Sequence, residues 1–185
     1  MQCIRPIIRT GHAMNIRHAD EADLAEIQSI YAHHVLTGTG TFEEIPPSVE
    51  EMTARFRHGT GRGWAWLVAT DATGVLGFAY YSQFRDRSAY RHAAENSVYV
   101  RQDVRGQGVG KQLVAELIED ARARGFRQMI AVIGDSENAG SIGVHSSLGF
   151  RIVGTLHAAG VKFGRWLDVV FMQRALGPGD SDVPG

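Results

Sequence analysis

The stretch that decides the fold is Val98-Tyr99-Val100, followed closely by Arg105-Gly106-Gln107-Gly108-Val109-Gly110-Lys111. It predicts a strand that runs through a glycine-rich turn into the first turn of a helix. Such a turn points several main-chain N–H groups at one spot, with the positive end of the helix dipole behind them. Glycines also allow positive φ and a close approach to the backbone. The stretch therefore predicts a diphosphate site, with positive charge added by Arg105 and Lys111.

Two other phosphate motifs fit the glycine run poorly. A P-loop requires Ser or Thr after its Gly-Lys pair, and Gln112 follows Lys111 here. A Rossmann fingerprint requires its third glycine one residue later, in the first strand–helix unit of the domain. Here three predicted strands and two predicted helices precede the strand that leads into the loop. A glycine-rich turn that merely connects a strand to a helix stays open as an alternative.

The hydrophobic pattern around the glycine run alternates between strand and helix periods. The predicted strands cover residues 15–18, 64–69, 75–81, 93–100, 129–133, 151–156 and 167–173. The predicted helices begin after Asp20, at the capping box of Ser48 and Glu51, after Gly108 and at Asn138. We find no internal repeat and no linker, so the pattern predicts one mixed α/β domain over residues 14–176.

Composition is that of an ordinary globular protein. The 185 residues are 44% hydrophobic and 21% charged, and the formal net charge is −1. Because there is no basic field, we expect no nucleic-acid partner. No stretch approaches the roughly 18 apolar residues that a membrane span needs. We therefore expect a cytoplasmic protein without a membrane partner.

The two ends of the chain are predicted to be disordered tails, over residues 1–13 and 177–185. The first lacks the apolar core of a signal peptide, and Met14 is an alternative start. The lone cysteine, Cys3, excludes an internal disulfide framework and a paired-cysteine metal site, so no metal is expected.

Several motifs resemble a known family. The run Arg105–Gly110 is similar to the acetyl-CoA signature Arg/Gln-x-x-Gly-x-Gly/Ala of the GNAT superfamily of N-acetyltransferases. Asn138 and the run Val144–Phe150 are similar to that superfamily's second conserved helix. Within the superfamily the chain most resembles the phosphinothricin and methionine sulfoximine or sulfone acetyltransferases. The segments that carry this likeness are Arg85-Asp86-Arg87-Ser88-Ala89-Tyr90, Ala94-Glu95-Asn96-Ser97-Val98-Tyr99-Val100 and Lys162-Phe163-Gly164-Arg165-Trp166-Leu167-Asp168.

The resemblance implies the GNAT fold, a single α/β domain whose mixed, mostly antiparallel, twisted sheet is flanked by helices. It also implies acetyl-CoA as co-substrate and a homodimer with substrate sites near the interface. Carried over residue by residue, it assigns the pantetheine arm, the pyrophosphate and a further cofactor contact. The residues implied are Val98, Tyr99, Val100, Arg105, Gly106, Gln107, Gly108, Val109, Gly110, Lys111 and Asn138.

Amide formation from a thioester needs a neutral amine, so a base must take the amine's proton. Glu95 lies near the start of the strand whose later residues are implied to bind the cofactor, and we expect it to be that base or to position a water. The alternative is a surface carboxylate. His145 stands where many relatives carry a tyrosine that protonates the leaving thiolate. It is a candidate general acid, a second base, or a structural histidine.

Main-chain N–H groups in the run Val98–Val100 are expected to stabilise the oxyanion. No cysteine is placed to form an acyl-enzyme, so direct transfer in a ternary complex is expected. Arginine forks suit a carboxylate, sulfoximine or phosphinate, so the candidate substrate-binding residues include the loop before this strand. Those residues are Arg85, Asp86, Arg87, Glu95, Asn96 and Ser97, with Phe42, Tyr90 and Trp166 as possible apolar walls.

Two other functions stay open. The first is acetylation of a protein or peptide N-terminus, which an open groove would favour. The second is a catalytically silent acyl-CoA-binding domain, which would be favoured if Glu95 faced the core. The presence of Glu95, His145 and the arginine loop argues against a silent domain.

Overall fold

The computed structural model describes residues 14–184, so the predicted N-terminal tail and Cys3 lie outside the described part. Within these residues, four α-helices, three short 3₁₀ helices and seven strands follow one another. The helices are α1 (Leu24–Thr37), α2 (Val49–Gly61), α3 (Val109–Ala123) and α4 (Ala139–Ser147), with 3₁₀ turns at Glu21–Asp23, Ser88–Tyr90 and Gln102–Val104. The strands are β1 (Asn15–His18), β2 (Trp66–Asp71), β3 (Gly74–Gln83), β4 (Ala93–Val100), β5 (Gln128–Gly134), β6 (Arg151–Lys162) and β7 (Arg165–Ala175).

The strands form one sheet in the order β1-β2-β3-β4-β5-β7-β6. Every neighbouring pair is antiparallel except β4 and β5, which are parallel. The prediction of a mixed, mostly antiparallel sheet flanked by helices is confirmed.

The parallel pair β4–β5 separates before either strand ends. Its ladder runs from Ala93 opposite Gln128 to Asn96 opposite Ala131. Beyond that point β4 stays paired with β3 up to Val100, while β5 stays paired with β7 up to Gly134. The two strands therefore diverge, and we call the space between residues 97–100 and 132–134 the wedge. Its narrow end, or apex, is at Asn96 and Ala131, and its wide end, or mouth, is at Val100 and Gly134.

A separate hydrophobic cluster covers each face of the sheet. On one face, Leu113 and Leu117 of α3 are fully buried, and the helix packs on β2, β3 and β4. On the other face, Ile27 and Val35 of α1 pack with Phe78 of β3. Both stripes recur at the helical spacing seen in the sequence, and burial of each such side chain stabilises the fold by roughly 1.5–3 kcal/mol.

The predicted caps are present. Ser48 Oγ accepts from Glu51 N, and the Glu51 carboxylate accepts from Ser48 N, so the capping box opens α2 as predicted. Asp20 caps the 3₁₀ turn that leads into α1, also as predicted. Asn138, which was expected to contact the cofactor, is a further cap, because its Oδ1 accepts from Ser141 N at the start of α4.

The last two strands are longer than the sequence predicts. The expected strand over 151–156 continues to Lys162, and the register between β6 and β7 shifts between Leu156 and Gly160. Ala158 has φ +50°, so a bulge interrupts the side-chain alternation by which a strand is recognised. The prediction stopped at this irregularity.

Residues 177–184 form turns next to the sheet, where Arg127 donates to Asp182 at 2.7 Å. The disordered tail expected over 177–185 stays a prediction. Among residues 14–184, no helix is both long and apolar enough to span a membrane.

Candidate active site

The main chain of β4 turns alternate residues towards the wedge. Phe84 N donates to Ala93 O, and Arg101 N donates to Leu76 O, so the odd-numbered residues of β4 direct their main-chain groups at β3. The even-numbered residues point the other way, towards β5. Because the β4–β5 ladder ends at Asn96, the main-chain groups of Val98 and Val100 face the wedge.

The glycine loop lies beside the wide end of the wedge, because a Cβ added at Gly110 would lie 3.3 Å from Val100 Cγ2. Gly106 and Gly108 have φ +75° and +84°, which confirms the expected positive φ in this loop. Gly108 is also the N-cap residue of α3, and no side chain caps that end of the helix. The first-turn N–H groups of α3 are therefore available to an anion, and Lys111 is exposed beside them.

A histidine from α1 connects the wedge to the glycine loop. His34 Nε2 lies 2.9 Å from Val100 O, and Arg105 Nη2 lies 3.3 Å from His34 Nδ1. A carbonyl only accepts and a guanidinium only donates, so this arrangement fits the neutral tautomer with its proton on Nε2. Burial lowers the pKa of His34, and the charge of Arg105 lowers it further. The His34 ring thus holds Arg105 at the mouth of the wedge.

Glu95 is half-buried on the α1–α2 face of β4. Its cross-strand neighbour is Ser82, and its side chain is 30% exposed. Burial raises the pKa of Glu95, while Arg85, whose Nη1 lies 3.7 Å from Glu95 Oε2, opposes that rise. A carboxylate with a raised pKa that still reaches solvent is a better proton acceptor than an ordinary glutamate. Glu95 does not face the core.

Asn96 and His145 lie on the opposite face of the sheet from Glu95. Asn96 Nδ2 donates to Ile130 O at 3.1 Å, which turns its Oδ1 towards His145 Nε2 at 3.0 Å. His145 Nδ1 lies 2.8 Å from Ser141 O. The ring is only 2% exposed, and burial lowers its pKa. The structure therefore does not bring the two predicted catalytic side chains together, because adjacent strand residues point to opposite faces.

The arginine loop lies beside Glu95 at the end of β3. Gln83 Nε2 donates to the carbonyl oxygens of Arg85 and Arg87, which holds the turn. The Arg85 guanidinium lies 4.2 Å from the Phe84 ring centroid and points towards Glu95. Arg85, Asp86 and Arg87 are all exposed, so the loop presents its charges to solvent.

A cavity of about 490 Å³ adjoins Ser82, the neighbour of Glu95. It lies between α2 and the β2–β3 pair, and the stacked rings of Trp66 and Tyr80 form part of its wall. Arg55 and His58 of α2 line the opposite side. A volume of this size is typical of sites for small molecules.

Five other residues that the sequence analysis singled out lie at the following positions in the fold. The Asn138 side chain caps α4, so its amide already has a structural partner. Ser97 lies on the Glu95 face opposite Tyr80. The Phe42 ring packs against Gly134 and Gly160, whereas Tyr90 and Trp166 are 40% and 68% exposed.

Sequence reasoning missed His34, because its two partners lie 66 and 71 positions away. No local sequence pattern marks His34 as part of the site. Within residues 14–184 we find no group of three or more His, Cys, Asp or Glu side chains able to hold a metal ion.

Comparison with known proteins agrees with this geometry. Residues 16–171 match the family model described as acetyltransferase (GNAT) domain. The chain is 46% identical to phosphinothricin N-acetyltransferase of Alcaligenes faecalis, over 93% of this chain and 87% of that protein. It is 47% identical to L-methionine sulfoximine/L-methionine sulfone acetyltransferase of Pseudomonas aeruginosa, over 89% and 95%.

A solved structure has the same fold with its cofactor. The phosphinothricin acetyltransferase of Sinorhizobium meliloti, in complex with AcCoA, superposes with a TM-score of 0.90 at 48% identity, over 93% of each chain. With a family model that spans most of the chain and relatives near half identity, this protein belongs to the GNAT superfamily of acetyl-CoA-dependent N-acetyltransferases.

Proposed function

We propose that this enzyme transfers the acetyl group of acetyl-CoA to the amino group of a small amino-acid-like substrate, of the phosphinothricin, methionine sulfoximine or methionine sulfone type, in the cytoplasm. The observation that carries the proposal is the wedge, which has a glycine loop at its mouth and the half-buried Glu95 beside its apex. The names of the similar proteins support the substrate class.

The pantetheine arm lies along β4 in this proposal. The amide groups of the arm complete the hydrogen bonds that β5 leaves unmade at Val98 and at the Val100 N–H, as a short added strand would. The pyrophosphate binds the main-chain N–H groups at Gly108 and the first turn of α3, near Arg105 and Lys111. A main-chain N–H at the narrow end of the wedge stabilises the oxyanion.

We predict that Gly108→Val weakens acetyl-CoA binding by at least ~10-fold, about 1.4 kcal/mol. A Cβ at Gly108 would meet only Gln112 Nε2, at 4.0 Å, so a side chain there projects into the space assigned to the pyrophosphate. Isothermal titration calorimetry measures the effect. Gly125→Val is the matched control, because Gly125 has φ +85° and open space at the other end of α3. Equal affinities in the two variants would refute the loop assignment.

The chemical step is direct transfer in a ternary complex. The substrate nitrogen attacks the thioester carbonyl carbon as Glu95 takes the amine proton, directly or through one water. The C–S bond then breaks, and the thiolate of CoA leaves with the electron pair and takes a proton from solvent. The raised pKa of Glu95 makes it a stronger base than an ordinary glutamate.

We predict that Glu95→Gln lowers kcat by ~10²-fold or more while acetyl-CoA affinity stays within about two-fold. A base acts only when deprotonated, so wild-type kcat/KM falls as pH drops through the raised pKa of Glu95. That acidic limb should disappear in the variant, and the loss should shrink as pH rises and more amine is neutral. Steady-state kinetics across pH measure this, with the exposed Glu116→Gln as control. A variant that keeps both its neutral-pH activity and the acidic limb would exclude Glu95 as the base.

His145 is assigned a positioning role. It bonds Asn96, and Asn96 bonds Ile130 O at the point where β4 and β5 separate. These two side chains therefore hold the apex of the wedge from the face opposite Glu95.

The arginine loop and the adjoining cavity are proposed to bind the acceptor. Arg85 is close enough to Glu95 to guide a substrate carboxylate or phosphinate while the amine reaches the base. Arg87 adds positive charge to the same entrance. The cavity beside Ser82 takes the apolar part of the substrate side chain.

We predict that Arg85→Ala lowers kcat/KM for a free amino acid by roughly 10- to 100-fold, since a charge-assisted bond is worth about 1.5–3 kcal/mol. The acidic limb of the pH profile should move to higher pH, because Arg85 lowers the pKa of Glu95. Arg87→Ala tests the second arginine and should leave that limb in place. Kinetics with an amino acid and its amide decide the matter. If both variants treat acid and amide as wild type does, acetylation of a peptide N-terminus becomes the favoured function.

The homodimer is proposed to form through β6 and β7. These two strands and the turn between them expose apolar side chains that are between 54% and 68% accessible, and such a cluster of exposed apolar side chains is unusual in solvent. They are Ile152, Val153, Leu156, Val161, Phe163 and Trp166.

We predict that analytical ultracentrifugation of the wild type gives about twice the 20.2 kDa chain mass, whereas Val153→Glu sediments as a monomer. Charge on a buried apolar interface opposes association. Val183→Glu is the control, because Val183 is 93% exposed outside this cluster. A Val153→Glu protein that stays dimeric would place the interface elsewhere.

A further inference from the structure

The segment Lys162–Asp168 carries the family likeness, yet neither the cofactor site nor the base uses its charged residues. Lys162 is one of only two lysines in the chain and is 2% exposed. Its ammonium donates to Gly38 O at 2.9 Å and to Thr41 O at 2.8 Å. Burying a lysine ammonium destabilises the fold unless hydrogen-bond acceptors surround it, and these two carbonyl oxygens supply such acceptors.

The tip of the β6–β7 hairpin places two cations side by side. Lys162 and Arg165 face each other across a two-residue turn, in which Phe163 and Gly164 have φ +52° and +73°. Positive φ at both positions is the geometry of a tight hairpin turn, and a phenylalanine adopts it only with strain. The strained turn therefore holds the charges of Lys162 and Arg165 close together.

Arg165 connects the hairpin to the same part of the chain through Asp135. Its Nη2 lies 2.6 Å from Asp135 Oδ2, and Thr39 Oγ1 donates to the same oxygen at 2.8 Å. Asp135 is 5% exposed and has φ +71° directly after β5. The main chain of residues 38–41 is thus fixed to the hairpin by Lys162 and to the end of β5 by Asp135. We call residues 38–42 the α1–α2 loop.

The α1–α2 loop lies over the wide end of the wedge, on the face that carries Glu95. The Thr39 carbonyl and the Phe42 ring both pack on Gly134, the last residue of β5. Thr41 Oγ1 lies 3.1 Å from Tyr31 Oη, and the Tyr31 ring contacts the Tyr99 ring edge-on, with centroids 4.8 Å apart. Tyr99 and Glu95 share a face of β4, so the loop lies on the same side of the sheet as the proposed base.

We propose that Lys162 is a positioning residue for the acceptor substrate: its two bonds to Gly38 O and Thr41 O fix the α1–α2 loop as a wall of the amine site. The inference rests on the proposed function. The buried ammonium selects the one loop conformation that turns both carbonyls towards it, so the wall is formed before the substrate arrives. Thr39 and Asp135 hold the same conformation from the β5 side.

The test is Lys162→Met, which fills the volume without donors. We expect KM for the amino substrate to rise ~10-fold, with kcat and the acetyl-CoA Kd within about three-fold of wild type. Lys162→Arg retains donors and should recover most of the lost affinity. Thr39→Val removes only the bond to Asp135, leaves the Lys162 ammonium and its two carbonyl partners in place, and should also raise KM. Arg122→Met, on the far end of α3 in a surface ion pair, is the control.

Amide hydrogen–deuterium exchange of residues 37–42 gives a readout that does not depend on turnover. Exchange should speed up in Lys162→Met and Thr39→Val and return towards wild type in Lys162→Arg. If exchange is faster in the variants but the wild type transfers no acetyl group, the contact of Lys162 with the α1–α2 loop is supported and the proposed function is refuted. Unchanged exchange in a folded Lys162→Met, or an equal rise in KM and acetyl-CoA Kd, would overturn the positioning role.

Discussion

The structure depends on the point at which β4 and β5 stop pairing. A sheet normally completes its ladder because main-chain groups left without partners are costly. Here the ladder ends at Asn96 opposite Ala131, although both strands continue on their outer sides. The Asn96 amide bonds Ile130 O at that point, and His34 takes the carbonyl of Val100 further along. The protein thus builds an edge inside its own sheet, with the length and polarity that an extended ligand can fill.

Next to this edge, the two faces of the sheet carry different kinds of side chains. Side chains alternate along a strand, so Glu95 faces α1 and α2 while Asn96 faces α4. The polar, partly solvated face holds Glu95, which is the proposed base, together with the arginine loop and the cavity. The other face holds a buried His145–Asn96 pair within the larger hydrophobic cluster. In the proposed function, proton transfer therefore takes place on one face of the sheet, and the wedge is supported from the other.

Local signals made much of this predictable. The positive φ of Gly106 and Gly108, the capping box at Ser48 and the helical stripes are all set by neighbours within a few residues, and the structure confirms them. The missed features are long-range. His34 acts on residues 66 and 71 positions away, and Lys162 on carbonyls more than 120 positions away. The length of β6 was missed because its bulge at Ala158 breaks the alternation that reveals a strand.

The central claim is that acetyl-CoA completes the edge of β4, and amide exchange measured by NMR tests it most directly. On saturation with acetyl-CoA, the Val98 and Val100 amide protons should exchange at least ~10-fold more slowly, because they gain acceptors from the pantetheine arm. The Arg101 amide already donates to Leu76 O and should change little. If calorimetry shows that acetyl-CoA is bound while Val98 and Val100 exchange at their free rates, the cofactor does not lie in the wedge and the account is wrong.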